Sequence, residues 1–350
     1  MKKSNKILKT VLWIVGIILA ALIIFVIYLT AREFRPAPIE KVEGVLDDGL
    51  KVSTEEPLTI LSYNTGYAGL SKEQDFFMDG GKNVQPDSEE DIKRNLNGIA
   101  EILNDNPADV YFLQETDVDS KRSFHIDQTE YYKDHLYLNS YFAANFKCDF
   151  VPYPLPPIGK VHSGLQTLTK YNVSDATRIS LPESFSWPVK TCNLKRCMLE
   201  TRFPIQGSDK ELVLINFHLE AYDSGEGKIA QSKMLAETLQ KEYEKGNYVI
   251  AGGDFNQTFE DIDKYPITDK NGWVPGVISS KDLPDHFSFA TDDSYPTCRL
   301  LNKPYVPESQ VYVIDGFIVS DNLTVDNVQV INTDFEYTDH QPVKIEISFH

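Results

Sequence analysis

Positive charge is scarce in this chain. Its 350 residues carry 34 Lys and Arg against 52 Asp and Glu, a formal net charge of −18. The first 41 residues are net +5, which leaves −23 on the rest. Such a surface repels polyphosphate backbones at long range, which weighs against non-specific nucleic-acid binding and against adhesion to anionic lipid. It still allows a local cationic site, or a divalent cation that recruits a phosphate. Cysteine is sparse as well. Cys148, Cys192, Cys197 and Cys298 are too dispersed for a zinc motif. Cys192 and Cys197 (CNLKRC) would close a small loop, leaving Cys148 with Cys298. In an extracytoplasmic domain one or two disulfides are allowed, with free buried thiols the expected state. The chain has no G-x-S-x-G, no Walker-type glycine loop and no H-E-x-x-H, and its cysteines lack a nucleophile's context. Serine-hydrolase, P-loop, zincin and thiol chemistries are thereby disfavoured. There is no internal repeat and no low-complexity tract.

Of long apolar runs there is one. Val11–Leu29 (VLWIVGIILAALIIFVIYL) carries no charge and as a helix spans about 28 Å, close to the hydrocarbon thickness of a bilayer. It exceeds the ~7–15 residues of a signal-peptide core, and Leu29-Thr30-Ala31 makes a poor cleavage site. A retained transmembrane anchor over 11–31 is therefore expected. Lys2, Lys3, Lys6 and Lys9 precede it, against Arg32 and Arg35 beyond it. The positive-inside rule makes residues 1–10 a cytoplasmic tail and puts everything after Arg32 outside a cell membrane crossed once. Residues 32–57, with Pro36, Pro38 and an acidic run, read as a stalk. One folded domain is expected over 58–350.

Leu58–Asn64 (LTILSYN) alternates as a strand does and ends on Asn64. Ser88–Asn104 predicts a helix, with Ser88 as N-cap, acidic residues in the first turn, and Ile92, Leu96, Ile99 and Leu103 on one stripe. Pro107 breaks it, and Asp109–Glu115 (DVYFLQE) is a buried strand, completing a βαβ-like unit. Asp127–Ser140 reads as a Tyr-rich helix, Phe150–Val161 as irregular, and His162–Leu168 as a strand. Met198–Phe203 and Glu211–His218 form a hairpin-like pair. Lys228–Glu244 is a second helix, with Ile229, Met234, Leu235 and Leu239 inward and Gly246 as its stop. Tyr248–Phe255 follows as a strand. Thr258–Leu301 reads as loop, Gln310–Ser320 as a strand interrupted at Asp315-Gly316, and Val343–Phe349 as the last strand.

Within Val249–Gln257 (VIAGGDFNQ) two glycines permit a sharp turn and a close backbone approach, and Asp254 and Asn256 alternate onto one side. Alone, the stretch fits an Asx-rich turn equally well. The wider pattern carries more. Apolar strands end on or contain Asn64, Glu115, His218, Asp254 with Asn256, and Asp315, and Asp339-His340 precedes the last one. Strand ends in layered α/β proteins gather on one rim. Hard oxygen ligands select magnesium, manganese or calcium over zinc, and an aspartate beside a histidine fixes its tautomer. These residue types suit metal-assisted phosphoester hydrolysis. Other candidates are ambivalent. Phe76, Phe77 and Met78 plug the core or form a lip beside the site. Lys160 and His162 contact phosphate or line an edge strand. Glu220 and Asp223 bind a second cation or belong to a loop surface.

In chain order LSYN, LQE, the strand-terminal His218, GGDFN, IDGFIVS and TDHQPV resemble the endonuclease/exonuclease/phosphatase superfamily, over about Leu58–Phe349. The architecture expected is α/β: a four-layer sandwich of two mixed β-sheets packed face to face with helices outside, preceded by one transmembrane helix. The resemblance makes Glu115 the principal metal ligand, Asn64 a phosphate or metal-shell contact, and Asp339 the support of a metal position. It makes Asp254 the residue that orients or deprotonates water, Asn256 a phosphoryl contact, and Asp315 the partner of His340. His340 contacts the scissile phosphate or serves as base, and His218 helps the leaving group depart. Gly316 departs from the family, where a bulky residue often follows the aspartate; glycine is expected to widen the pocket. The function implied is a divalent-metal-dependent phosphoesterase, with Mg2+ as cofactor and Mn2+ or Ca2+ as substitutes. A lipid-headgroup or small-molecule phosphoester is favoured as substrate and nucleic acid less so. The membrane is a partner through the N-terminal helix, and no protein partner is inferred. The alternatives are an exported nuclease and a catalytically silent binding module on the same fold.

Overall fold

The computed structural model describes residues 2–44, 50–223, 225–269 and 272–350. The stalk stretch 45–49, residues 224 and 270–271, and the side chains of Lys2, Lys3, Ser4 and Asn5 lie outside these. Helix α1 (Lys2–Ala31) contains the apolar run and is long and apolar enough to cross a membrane. Only its last two turns rest on the domain, with Leu29 buried and the Phe25 ring 6.1 Å from that of Phe150. The chain continues through β1 (Ile39–Lys41), β2 (Leu58–Asn64), α2 (Glu89–Asp105), β3 (Val110–Asp117) and α3 (Gln128–Leu136). Next come β4 (Asn139–Val151), β5 (Gly159–Thr169), β6 (Asp175–Ser180), β7 (Cys197–Pro204) and β8 (Glu211–His218). They are followed by α4 (Glu226–Tyr243), β9 (Tyr248–Asp254), β10 (Gln257–Phe259), β11 (Gly276–Ile278) and β12 (Phe287–Ala290). The last strands are β13 (Cys298–Arg299), β14 (Val311–Tyr312), β15 (Asp315–Ser320), β16 (Leu323–Val330) and β17 (Val343–Phe349).

Two mixed sheets result. One is ordered β16-β17-β2-β3-β5-β4, the other β1-β6-β7-β8-β9-β15-β12. Each contains one parallel pair, β2–β3 and β8–β9, joined by the crossover helices α2 and α4. All their other pairings are antiparallel. Period-two alternation decides which side chains meet. Ile60, Val110, Phe112 and Leu165 face Leu199, Leu212, Leu214 and Ile250 in one inter-sheet core. The intervening Leu61, Tyr111 and Leu113 pack outward under Ile92, Leu96, Ile99 and Leu103 of α2. Val213, Ile215, Val249 and Ala251 pack outward under Leu235 and Leu239 of α4. Four layers, helix–sheet–sheet–helix, follow from that parity. As expected, the Ser88 hydroxyl caps α2, accepting from the Asp91 N–H at 3.2 Å.

Several elements differ from the sequence reading. The Tyr-rich helix stops at Leu136, because Tyr137 adopts the left-handed conformation (φ 54°). Asn139 then opens β4, whose Tyr141 and Ala143 enter the inter-sheet core. Ile229 of α4 is exposed rather than inward. Gly252 and Gly253 do not turn the chain: β9 runs straight through them. A Cβ on Gly252 would lie 2.4 Å from the Phe317 ring, and one on Gly253 1.9 Å from the Phe217 carbonyl oxygen, so close packing demands both glycines. The break before β15 falls at Val313-Ile314. The segment read as a stalk is partly built into the domain, since β1 pairs with β6, and Leu50 and Val52 bridge Tyr171 and Ile205. The four cysteines are free thiols. Cys197 lies in the inter-sheet core and Cys192 beside Cys148 in a separate apolar cluster, so neither pairing imagined from the sequence is present.

Truncating Leu214→Ala leaves a void between the sheets and should cost about 2–5 kcal/mol of unfolding free energy, read by chemical denaturation of the detergent-solubilised chain.

Candidate active site

The alternation that buries the core also delivers the polar residues. Asn64 continues the inward row of Ile60 and Ser62, His218 that of Leu214 and Asn216, and Asp254 that of Ile250 and Gly252. Parallel pairing sets His218 directly opposite Asp254, and antiparallel pairing sets Asp315 opposite Asp254 on the other side. Asn64 and Glu115 arrive from the facing sheet. Glu115 escapes the alternation: the β3–β5 register shifts between Leu113 and Thr116, and Glu115 sits at φ 54°. Asn256 holds a second left-handed conformation, φ 50°.

These groups touch. Asn64 Nδ2 donates to Asp254 Oδ2 at 3.0 Å and lies 3.4 Å from both Glu115 Oε1 and His340 Nε2. His218 Nε2 is 3.3 Å from Asp254 Oδ2, and its Nδ1 is 4.0 Å from Glu115 Oε1. Asp254 Oδ1 accepts the Asn256 N–H at 2.8 Å, and Asn256 Nδ2 donates to the Leu219 carbonyl at 2.9 Å. Asp315 Oδ2 sits 2.9 Å from His340 Nδ1, which directs Nε2 toward Asp254 (3.6 Å) and Asp339 (3.9 Å). Asp339 is fixed by the Thr338 hydroxyl, 3.1 Å away. Among the described residues two triplets have the spacing of metal ligands, Asp254–Asp315–His340 and Cys298–Asp339–His340; Glu115 belongs to neither. It is nonetheless the carboxylate of the cluster most open to the cavity, its side chain 26% exposed against 2% for Asp254.

Burial drives the electrostatics. It raises the Glu115 carboxyl above its ordinary range and pushes Asp254 up to about 7, aided by Asp315. His218 is held neutral by burial first and then by the Arg196 guanidinium. At His340 burial also opposes charge, but Asp315, Cys298, Asp339 and Asp254 together outweigh it and raise the imidazole well above its ordinary value.

A cavity of about 400 Å3 opens over this cluster. Its far wall is apolar, built by Phe76 and Phe77, by Phe146, Val151 and Tyr153, and by Phe185 and Val189. Phe76 and Phe77 thus form a lip. Lys160 and His162, expected as phosphate contacts, do not reach the cavity. They occupy the opposite parity of β5 from Ser163, which lines it; Lys160 pairs with Asp119, and the His162 ring lies 5.9 Å from that of Phe142. Gly316 does not widen the pocket either: a Cβ there would meet Thr291 at 2.8 Å. Glu220 and Asp223 are not loop surface. Glu220 is buried 3.8 Å from Arg196, and Asp223 accepts N–H groups at the start of α4.

Four cavity residues were missed by sequence reasoning. Arg196 donates to the His218 carbonyl at 3.3 Å, and its buried Nε has no hydrogen-bond partner. Arg122 clasps Asp117 with two hydrogen bonds and lies 3.8 Å over the Tyr67 ring. The Tyr222 hydroxyl donates to Asp79 at 2.9 Å, and burial pushes Asp79 up to about 6. The available signal was an isolated Arg or Asp next to an apolar strand or aromatic run, which is too common to single out.

Two face-to-face mixed sheets bearing carboxylates, two histidines and two carboxamides at one rim define an α/β phosphoesterase. The chain belongs to the endonuclease/exonuclease/phosphatase family, whose model matches residues 83–340. It is accordingly a metal-dependent hydrolase of phosphoester bonds. No curated protein matches the chain. Among solved structures it is similar to an endonuclease/exonuclease/phosphatase from Beutenbergia cavernae, with 16% identity, 84% of this chain and 72% of that one covered, and a TM-score of 0.60. The human Nocturnin catalytic domain with bound sulfate gives 16% identity, 87% and 97% coverage, and a TM-score of 0.54. D. rerio TDP2 complexed with a single-strand DNA product gives 15%, 84% and 99%, and 0.52. At these identities the likeness is one of fold.

In the metal-free protein His340 should stay protonated through neutral pH. The stabilisation this gives is complete below its unfolded pKa and is lost as pH rises through the elevated folded one. Asp315→Asn should bring the titration down, seen by NMR of histidine-labelled protein.

Proposed function

We propose that the chain is a membrane-anchored phosphoesterase that uses a divalent cation to hydrolyse a lipid-headgroup or small-molecule phosphoester outside the membrane. Residues 1–10 form the cytoplasmic tail, 11–31 the anchor and 58–350 the catalytic domain. The observation that carries the reading is the make-up of the cavity, with ionisable groups at one end and apolar wall over the rest. A phosphate attached to an apolar body matches that division.

The donor set fits a hard cation. Glu115 and Asp254 are raised by burial first and by a neighbouring carboxylate second, Asp339 and Asp315 respectively, and a cation would stabilise their charged forms. Glu115 would hold it, with Asn64 alongside and Asp339 in support; Mg2+ suits these oxygens, and Mn2+ or Ca2+ can substitute. When bound, it polarises a phosphoryl oxygen and offsets transition-state charge. Asp254 accepts the proton of the attacking water, or orients that water, from between His218 and His340. Asp315 orients the His340 ring so that Nε2–H donates to the phosphate, and Asn256 offers its remaining amide hydrogen to a phosphoryl oxygen. Neutral His218 hydrogen-bonds the departing oxygen. The work is mostly positioning and electrostatics.

A nuclease is the second reading, supported by the DNA product that TDP2 holds on a similar fold. The −23 charge of residues 42–350 opposes it. Full-length protein given bis(p-nitrophenyl) phosphate, phosphodiester lipid vesicles and single-stranded DNA separates the two. Lipid or small-molecule hydrolysis that is lost with chelator is expected. DNA cleavage that outruns it would establish the nuclease instead, and inactivity on every substrate would leave a silent binding module. Asp254→Ala and His340→Ala should each lower turnover about 100-fold or more with circular dichroism unchanged. Magnesium should raise the thermal midpoint, by about 2.7 kcal/mol of stability at a hundredfold excess over Kd, and Glu115→Gln should abolish most of that gain.

A further inference from the structure

We propose that an exposed apolar rim made by Tyr153, Leu155, Trp187 and Val189 sits in the outer leaflet of the bilayer that α1 crosses, so that the cavity takes its phosphoester directly from a zwitterionic lipid in that leaflet. The inference rests on the anchored-phosphoesterase reading and adds to it the substrate class and the route of entry.

The rim comes from two loops, 152–158 between β4 and β5 and 181–196 between β6 and β7. Tyr153 is 66% exposed, Leu155 89%, Trp187 58% and Val189 53%. Single exposed apolar residues are ordinary, but a cluster at the mouth of an apolar cavity is not. Tyr153 and Val189 line that mouth, and the Tyr153 ring packs 5.5 Å from Phe77 on the wall within. The rim and the apolar wall are therefore continuous.

The helix sets the level of the rim. Trp187 Nε1 donates to the Thr30 hydroxyl at 3.1 Å, one residue before α1 ends. Phe25 packs on Phe150, next to the 152–158 loop, and Arg32 pairs with Asp149 at 2.5 Å. Where α1 leaves hydrocarbon for headgroups, Trp187 and Tyr153 are at the depth that such side chains favour. The orientation is also held. Lys195 bridges Glu33 and Glu183, each at 2.9 Å, with Glu33 and Lys195 buried and so little screened by salt. Paired β1 fastens the next residues to the sheet. A domain on a loose tether would sample every orientation, whereas this one presents a single face to the membrane. Its net charge disfavours anionic lipid, which leaves a zwitterionic phosphodiester lipid as the ligand, with its headgroup at Glu115 and His218 and its tail on the aromatic wall.

The test uses the full chain in phosphatidylcholine vesicles. Its three tryptophans are Trp13, Trp187 and Trp273. In a Trp13→Phe background, phosphatidylcholine brominated high on its acyl chains should quench a component of emission that disappears in Trp13→Phe/Trp187→Phe. An identical response of the two proteins overturns the rim. Leu155→Ser/Trp187→Ser, at positions that do not line the cavity, should cut hydrolysis of vesicle-embedded zwitterionic phosphodiester lipid about tenfold, with turnover of bis(p-nitrophenyl) phosphate unchanged. An equal fall on both substrates, or none on lipid, overturns the proposal. If the unaltered protein hydrolyses neither, the phosphoesterase reading fails instead, while the quenching still reports on the rim.

Discussion

Buried hydrogen bonds between the two sheets hold everything else in place. Gln114 Nε2 of β3 donates to Asn216 Oδ1 of β8 at 2.8 Å, and Asn216 Nδ2 returns to the Leu113 and Gln166 carbonyls at 3.2 and 3.0 Å. One step further along each sheet, Asn64 reaches Asp254. A polar group in such a core costs free energy when its partner is displaced, so sliding one sheet against the other is penalised in a way that apolar contacts alone would not manage. The registry matters because the site is divided: Asn64 and Glu115 come from one sheet, and His218, Asp254 and Asp315 from the other. Each half rests on a parallel pair whose crossover helix covers the outer face. The amide network is thus the pin between two βαβ units, and the candidate catalytic cluster is what the pin aligns.

The cluster is costly to keep. Glu115 and Asn256 occupy left-handed conformations that non-glycine residues seldom adopt, and four carboxylates share a small buried volume. Arg122 and Arg196 offset part of this from the sides, Arg122 paired with Asp117 and Arg196 turned toward His218 and Glu220. Asp254 remains raised by its burial and by Asp315, with His340 offsetting part of the shift. Strain and uncompensated charge concentrated at one rim mark a place where the fold gives up stability for function.

Much of this was legible in the sequence because the signals were local. β3, β8 and β9 are short apolar runs that finish on polar residues, β2 and β17 alternate, and α2 carries its cap and stripe, so their types and the strand-end residues could be read together. The misses have physical causes. β4 follows a tyrosine-rich stretch whose helix is ended by the conformation of Tyr137 rather than by glycine or proline. β16 is an edge strand with a largely exposed face, and β1 is ordered only by its partner β6, far away in sequence. Lys160 and His162 stayed open between phosphate contact and a strand's polar face, because which face of β5 turns to the cavity is set by its pairing with β3 and β4. Gly316 was read from its neighbour in sequence, whereas its space is taken by Thr291. Loop 181–196 had no local signature, since Phe185 and Val189 of the cavity wall and Trp187 outside it gain meaning only beside β4 and α1.

The join between α1 and the domain changes how the remaining chain is to be understood. A stalk read from prolines and acidic residues suggests a tether whose only task is to keep an enzyme near a surface. A buried Glu33–Lys195 contact, a paired β1 and the packing of Phe25 on Phe150 instead make the end of α1 part of the domain. In the proposed reading, proximity alone would favour any soluble phosphoester near the membrane, because a freely turning active site gains nothing from being close to lipid. Fixed orientation restricts the gain to molecules that arrive from the plane of the bilayer. The acidity of the domain acts in the same direction, since it discourages polyanions from solution while leaving neutral headgroups unaffected. In that reading the apolar helix, the charge and the cavity lining, each weak as a guide to substrate, favour the same ligand once the geometry ties them together.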